Sequence, residues 1–307
     1  MKVCLLTGGT GGARLAAGLD AVLAPGSLSV VANTADDCEF WGLRVSPDVD
    51  AVLYRLAGIF NEPAGFGVRG ETFNVLEALG RLGEETWFKL GDRDLATHVL
   101  RTQMLREGRR PTEVALELGS RLGLKTRVLP MTDDSVATFF ETDRGRVGFQ
   151  EYFVRDRCEP AVKSLEVRGM IDARPSPEAA DVVAAADLVV IGPSNPVISI
   201  APILALVGGF LSRDRTVAVS PLVQGRALKG PTVQMIRAVG GDPTAAGVAA
   251  SYRRSAAWFV LDERDAALAP AVEALDYRVL VTDTLMNDAA GERRLAEAIL
   301  PAVGVGA

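Results

Sequence analysis

The sequence predicts an α/β chain: a Rossmann-like, doubly wound, mainly parallel sheet with an inserted α+β cap region. Three observations predict it. A short apolar run at 2–6 breaks into a glycine cluster and then into a helical pattern over 13–23. A second apolar run, 28–32, ends in the acidic stretch Asn33-Thr-Ala-Asp-Asp37. Further on, apolar runs and helical patterns alternate to the end of the chain, the order that builds a parallel sheet covered on both faces.

The elements follow in chain order. Strand, glycine turn, helix and strand over 2–32 form a βαβ opening. Residues 69–123 read as mostly helical, with Leu95, Val99, Leu100 and Met104 as one apolar stripe. Residues 126–167 read as short strands with a hairpin at Asp143-Arg144-Gly145. Strands are then expected at 187–191, 216–219, 258–261 and 278–281, and helices at 177–185, 200–211, 231–239 and 265–275. No repeat or Ser/Gly linker divides the chain. It is read as one domain over 1–307, with 55–170 as an α+β insertion that caps the ligand crevice.

Composition excludes several classes. At 48% apolar residues in 307, there is ample material for a core, which removes disordered and fibrous chains. A net charge of −6 without a basic block argues against a nucleic-acid partner. Cys4, Cys38 and Cys158 form no CxxC pair and His98 is the only histidine, so disulfide frameworks, cysteine zinc sites and histidine clusters are not expected. The most apolar stretch, 198–211, contains Pro202 and two glycines and is shorter than the ~20 apolar residues of a spanning helix. The N-terminus turns glycine-rich too early for a signal peptide. A cytoplasmic protein without a membrane partner is expected.

The chemistry starts at Thr7-Gly8-Gly9-Thr10-Gly11-Gly12, between a strand end and a helix start. Glycines there let backbone approach a diphosphate, and the helix N-terminus adds a favourable dipole. The plainer reading is a tight turn that needs glycine. The motif is not a dinucleotide fingerprint, because Arg14 holds the third glycine position, and no Walker A lysine follows. Asp36 and Asp37 close the second strand, and Asp48 and Asp50 follow in what reads as a short loop, 46–50. Four carboxylates gathered beside a phosphate loop suit Mg2+. Turn and capping chemistry is the alternative use of such Asp residues.

In 87–94, Lys89 and Arg93 can face a phosphate or carboxylate, and Trp87 and Phe88 can cover a ring. His98, alone beside an apolar stripe, is expected to be packed rather than catalytic. Ser194 and Asn195, in a loop after an apolar strand, are expected to point into the crevice. Arg226 and Lys229 sit in the loop 220–231, another polar loop expected on the same edge of the sheet and so in the same cleft; a solvated surface loop is the plainer reading.

These residues together resemble the 2-phospho-L-lactate transferase family. The resemblance is carried by GGTGGARL (8–15), NTADD (33–37), SPDVDAVLY (46–54), RGETFN (69–74), WFKLGDRDLATH (87–98), LPMTDD (129–134), GPSNP (192–196), ALKGP (227–231) and TDTLM (282–286). It implies a magnesium-dependent enzyme of deazaflavin coenzyme biosynthesis and a homodimer. Such an enzyme moves a phospho-acid group, lactate- or enolpyruvate-derived, from a guanosine diphosphate-activated donor to the ribityl hydroxyl of the deazaflavin Fo and releases GMP. Asp50 and Lys89 match the family's deazaflavin-contacting positions. Asp36 and Asp50 are accordingly the expected catalytic residues, with Asp36 and Asp37 as the expected Mg2+ ligands and Asp50 orienting or deprotonating the acceptor. Gly8, Gly9, Thr10, Gly11, Gly12, Ser194, Asn195, Arg226 and Lys229 are the expected donor side. Two other readings remain open: a non-catalytic UDP-sugar-binding regulator of the same superfamily, and a nicotinamide-type oxidoreductase.

Overall fold

The computed structural model of the chain describes residues 1–227 and 230–301. The first strand, β1 (Val3–Thr7), leads into α1 (Thr10–Val22), and β2 (Leu28–Ala32) returns parallel to β1 with Leu5 opposite Val30. A small antiparallel hairpin follows, β3 (Cys38–Phe40) and β4 (Leu43–Val45). Four helices come next: α2 (Pro47–Leu56), α3 (Asn74–Arg81), α4 (Asp92–Arg106) and α5 (Pro111–Arg121). Then β5 (Arg127–Pro130) precedes a three-stranded antiparallel sheet of β6 (Ala137–Thr142), β7 (Gly145–Gly148) and β8 (Val162–Arg168), with β6 in the centre. The remainder alternates through α6 (Pro177–Ala184), β9 (Leu188–Ile191), α7 (Ala201–Val207) and β10 (Thr216–Val219). A two-residue hairpin, β11 (Leu222–Val223) and β12 (Arg226–Ala227), leads to α8 (Thr232–Ala238), α9 (Ala245–Tyr252), β13 (Trp258–Asp262), α10 (Ala269–Glu273), β14 (Arg278–Thr282) and α11 (Ala289–Ile299).

Seven strands make one parallel sheet in the order β14-β13-β10-β9-β1-β2-β5. The chain winds outward one way from β1, returns, and winds the other way from β9. The β1/β9 junction is therefore the switch point outside which such sheets bind ligands. Strand residues alternate between two cores, because successive side chains leave opposite faces. Val3, Leu5, Leu188, Val190, Val217 and Val219 pack with α1, α2, α5 and α11. Cys4, Leu6, Val189, Ile191, Ala218 and Phe259 pack with α6, α7, α8, α9 and α10. The expected doubly wound parallel sheet is thus observed. Among the described residues no helix is long and apolar enough to cross a membrane.

Three expectations are corrected. The glycine segment is not all turn, for Thr10, Gly11 and Gly12 form the first turn of α1; glycine's poor helix propensity hid the start. Residues 46–50 are not a loop. Pro47 opens α2 with Asp48 and Asp50 in its first turn, and proline and acids are helix-start residues as well as turn residues. The stripe on α4 is not purely apolar: Val99 is 52% exposed, while Asp94, His98 and Arg101 are buried. Within 55–170, β5 is the edge strand of the main sheet and α5 lies on its first core; α3, most of α4 and the β6–β8 sheet stand apart from it.

None of the four loop glycines has a positive φ, so the turn reading does not account for them. Close approach does. A Cβ on Gly8 would lie 2.5 Å from Ser199 Oγ, one on Gly9 would lie 2.6 Å from Asp48 Oδ1, and one on Gly11 would lie 2.6 Å from the Pro193 carbonyl. On Gly12 it would collide with the Thr7 side chain. The strand-end loops are packed to backbone distance at the switch point. Gly12→Ala should therefore lower stability by ~1–3 kcal/mol through overpacking. Gly208→Ala, where nothing lies within 4 Å, should leave the thermal midpoint nearly unchanged; melting curves of the two variants check this.

Candidate active site

The site forms where the loops after β1, β2 and β9 meet. Ser194 Oγ lies 2.9 Å from Thr7 Oγ1 and accepts from the Gly8 amide at 3.0 Å, tying the β9 loop to the glycine loop. Asn195 has a capping role. Its Oδ1 accepts from the Val197 and Ile198 amides at 3.0 and 3.4 Å, and its buried Nδ2 has no partner. Of the two expected crevice residues, Ser194 braces the glycine loop and Asn195 starts the next helical turn.

Beside the glycine loop, three acids share one buried region. Asp36 is 5% and Asp48 8% exposed, and each lies in the other's electrostatic field. Asp48 accepts from Asn33 Nδ2 at 3.0 Å and from the Gly9 amide. Asp37 accepts from Ser46 Oγ at 2.8 Å and lies 3.5 Å from Arg44 Nη2. Burial, with neighbouring acids adding to it, pushes Asp36 well above the usual carboxylate range. Burial likewise lifts Asp37 to about 6 and Asp48 to about 7. One oxygen each of Asp36 and Asp37 is buried with no hydrogen-bond partner, an arrangement that is costly unless a ligand satisfies it.

Among the described residues, no three His, Cys, Asp or Glu side chains group closely enough to cage a metal. Two carboxylates with unused oxygens fit Mg2+ better than such a cage, since magnesium keeps waters and takes its remaining ligands from substrate phosphates. Next to Asp37, a cavity of about 250 Å³ is lined by Thr34, Arg44, Ser46, Arg101 and the Thr132–Ser135 loop over an apolar floor.

Asp50 does not join that cluster. Both of its oxygens accept from Arg101, Nη1 at 3.0 Å and Nη2 in a closer contact. Arg101 Nη1 also lies 3.1 Å from His98 Nδ1, and His98 Nε2 lies 3.2 Å from Asp94 Oδ1. Tyr54 donates to the same Asp94 oxygen at 2.7 Å. Because a guanidinium only donates, Nδ1 accepts and Nε2 carries the proton toward Asp94. Burial raises Asp94, but the close His98 ring and the hydrogen bond from Tyr54 outweigh it and hold it below its usual value. His98 is 1% exposed and packed, as expected, although among charges rather than in an apolar stripe.

The segment before α4 is fixed by exchanged caps. Glu71 accepts from the Arg93 and Asp94 amides at 2.5 and 3.1 Å at the start of α4. Asp92 accepts from the Asn74 and Val75 amides, both at 3.0 Å, at the start of α3. Hydrogen bonds from Thr72 and these amides hold Asp92 down at about 2. Gly91 is required because the Glu71 side chain occupies the place of a Cβ. Lys89, just upstream, is exposed and forms no ion pair among the described residues. Trp87 belongs to an aromatic wall. Phe40 stacks on Phe88 at 4.2 Å, and Trp87 meets Phe40 edge-on at 4.8 Å.

Arg226 stands apart from this centre, in a concavity shared with Gln234 and Arg237. Lys229 lies outside the described residues. Sequence reasoning missed Arg101, Tyr54, Phe40 and Glu71 as site builders. A usable signal existed for Arg101: Asp94, His98 and Arg101 fall at helical spacing i, i+4, i+7, a polar face on a helix that must also pack.

Fold and site together define a doubly wound α/β enzyme with a phosphate-type loop and an acidic centre at its switch point. The sequence model of the family described as "2-phospho-L-lactate transferase CofD" matches residues 3–290. The chain is 37% identical over 300 residues to the 2-phospho-L-lactate transferase of Methanosarcina mazei, covering 97% of this chain and 99% of that one. It is 40% identical over 309 residues to that of Methanopyrus kandleri, covering 98% and 97%. A crystal structure of a UPF0052-family protein from Bacillus halodurans shares the fold, with a TM-score of 0.61 at 17% identity over 97% of this chain and 98% of that one. The chain belongs to the 2-phospho-L-lactate transferase family and is a transferase.

The raised acids set a pH dependence. The unfolded chain loses these protons near 3.8, whereas folded Asp37 and Asp48 hold them to about 6 and 7. More protons are bound in the fold across that window, so stability falls as pH rises through it. In chelator, the thermal midpoint should drop between about pH 4 and pH 7, and Asp48→Asn should flatten the drop.

Proposed function

We propose that the chain transfers a phospho-acid group, phosphoenolpyruvate or 2-phospho-L-lactate, to the deazaflavin Fo. The donor is the guanosine diphosphate-activated acid, the acceptor atom is the terminal ribityl hydroxyl, and the products are a coenzyme F420-0 type molecule and GMP. The observation that carries this reading is the pair of buried, unpartnered carboxylate oxygens of Asp36 and Asp37 beside the glycine loop. The family membership and the relatives named for 2-phospho-L-lactate transfer support it.

In the reaction, the acceptor oxygen forms a bond to the phosphorus bearing the acid, the bond from that phosphorus to the GMP oxygen breaks with its electron pair leaving on GMP, and the hydroxyl proton passes to solvent. Transfers of this type depend on positioning and charge neutralisation more than on covalent catalysis. Asp36 and Asp37 would hold Mg2+, which when bound supplies positive charge against the diphosphate. The N-terminus of the 13-residue α1 turns its dipole toward the same anion. The aromatic wall of Phe40, Trp87 and Phe88 offers a face for the tricyclic ring. Asp50, committed through both oxygens to Arg101, suits orienting the acceptor hydroxyl better than taking its proton.

Fluorescence titration with Fo, with and without GDP and Mg2+, tests the reading directly. Saturable binding that tightens with nucleotide and metal is the expected result, and absence of Fo binding in every condition overturns it. Asp36→Asn should lower turnover on the order of 100-fold or more. Asp50→Asn should act mainly on the acceptor KM; unchanged kinetics in Asp50→Asn would remove it from the site.

A further inference from the structure

Arg101 is 4% exposed and makes a two-pronged contact with Asp50, the geometry in which a guanidinium fixes a carboxylate's direction as well as its charge. The contact joins two helices. Asp50 and Tyr54 lie one turn apart on α2, and Asp94, His98 and Arg101 lie on one face of α4. The five side chains form one buried polar line from Asp50 through Arg101, His98 and Asp94 to Tyr54. Lys89 lies three residues before the start of α4, whose first turn Glu71 caps at the Arg93 and Asp94 amides.

We propose that Arg101 is a positioning residue for the acceptor, aiming the Asp50 carboxylate and fixing its placement relative to the Lys89 segment. The proposal rests on the reading above that Asp50 meets the deazaflavin. Arg101 also lines the cavity beside Asp37, where its charge is felt; a substitution that keeps the charge but breaks the two-pronged contact isolates the effect on Asp50, which falls on the acceptor side. Lysine keeps the charge at 101 but cannot make the two parallel contacts. Removing the charge altogether would leave Asp50 buried and uncompensated, which endangers folding; the lysine variant avoids this.

The experiment is a double-mutant cycle read by Fo binding and by steady-state kinetics in wild type, R101K, D50N and D50N/R101K, with melting curves to show that each is folded. In R101K the Fo dissociation constant and acceptor KM should rise by about tenfold, while GDP binding and kcat at saturating Fo change by no more than about twofold. On the D50N background, R101K should add little further loss of Fo affinity, because both substitutions remove one coupled unit. Equal Fo affinity in wild type and R101K overturns the proposal alone. Additive losses in the cycle, or a parallel loss of GDP binding, also overturn it by showing a merely structural role. A wild-type protein that binds no Fo overturns the functional reading and this inference with it.

Discussion

The close approach of two loops at the sheet's switch point governs the rest of the structure. Ser194 receives the Gly8 amide and lies against the Thr7 hydroxyl, and the Pro193 carbonyl fills the space a side chain at Gly11 would need. That contact sets where α1 begins and which way its N-terminus points. It also fixes the surface on which Asp48 rests, since that carboxylate lies against Gly8 and Gly9. The glycines serve at two levels here: they let protein meet protein, and they leave a thin wall of backbone at the crevice. A loop that only had to bind phosphate would not need all four for packing reasons.

Charge burial is the second constraint. Asp36, Asp37 and Asp48 are buried together, compensated by Arg44 and by hydrogen bonds from Asn33, Ser46 and the Gly9 amide, with two carboxylate oxygens left over. Asp50 and Asp94 are resolved differently, through Arg101, His98 and Tyr54. One group of acids is left short of partners and the other is fully engaged. The first condition leaves buried oxygens free to meet a ligand; the second ties α2 to α4.

Much of the fold was legible because parallel strands are short, apolar and bounded by turns: the strands at Leu28–Ala32 and Thr216–Val219 fall where periodicity placed them. Boundaries failed where residue types serve two purposes. Pro47, Asp48 and Asp50 open a helix with the same residues that build turns. Gly11 and Gly12 open one despite their propensity. The acids Asp36 and Asp37 could be placed at a strand end by position alone, but the diversion of Asp50 could not. That depends on Arg101, 51 residues away, and on how α2 meets α4. Spacing along one helix reveals a polar face and not what the face will touch.

The exchanged caps at Glu71 and Asp92 carry a further consequence. Each helix start is closed by a carboxylate that belongs to the other's leading segment. The starts of α3 and α4 therefore support each other, and loss of either carboxylate removes a cap from the opposite helix. Trp87, Phe88 and Lys89 ride on the stretch between the two helices. The two caps hold that stretch from both of its ends.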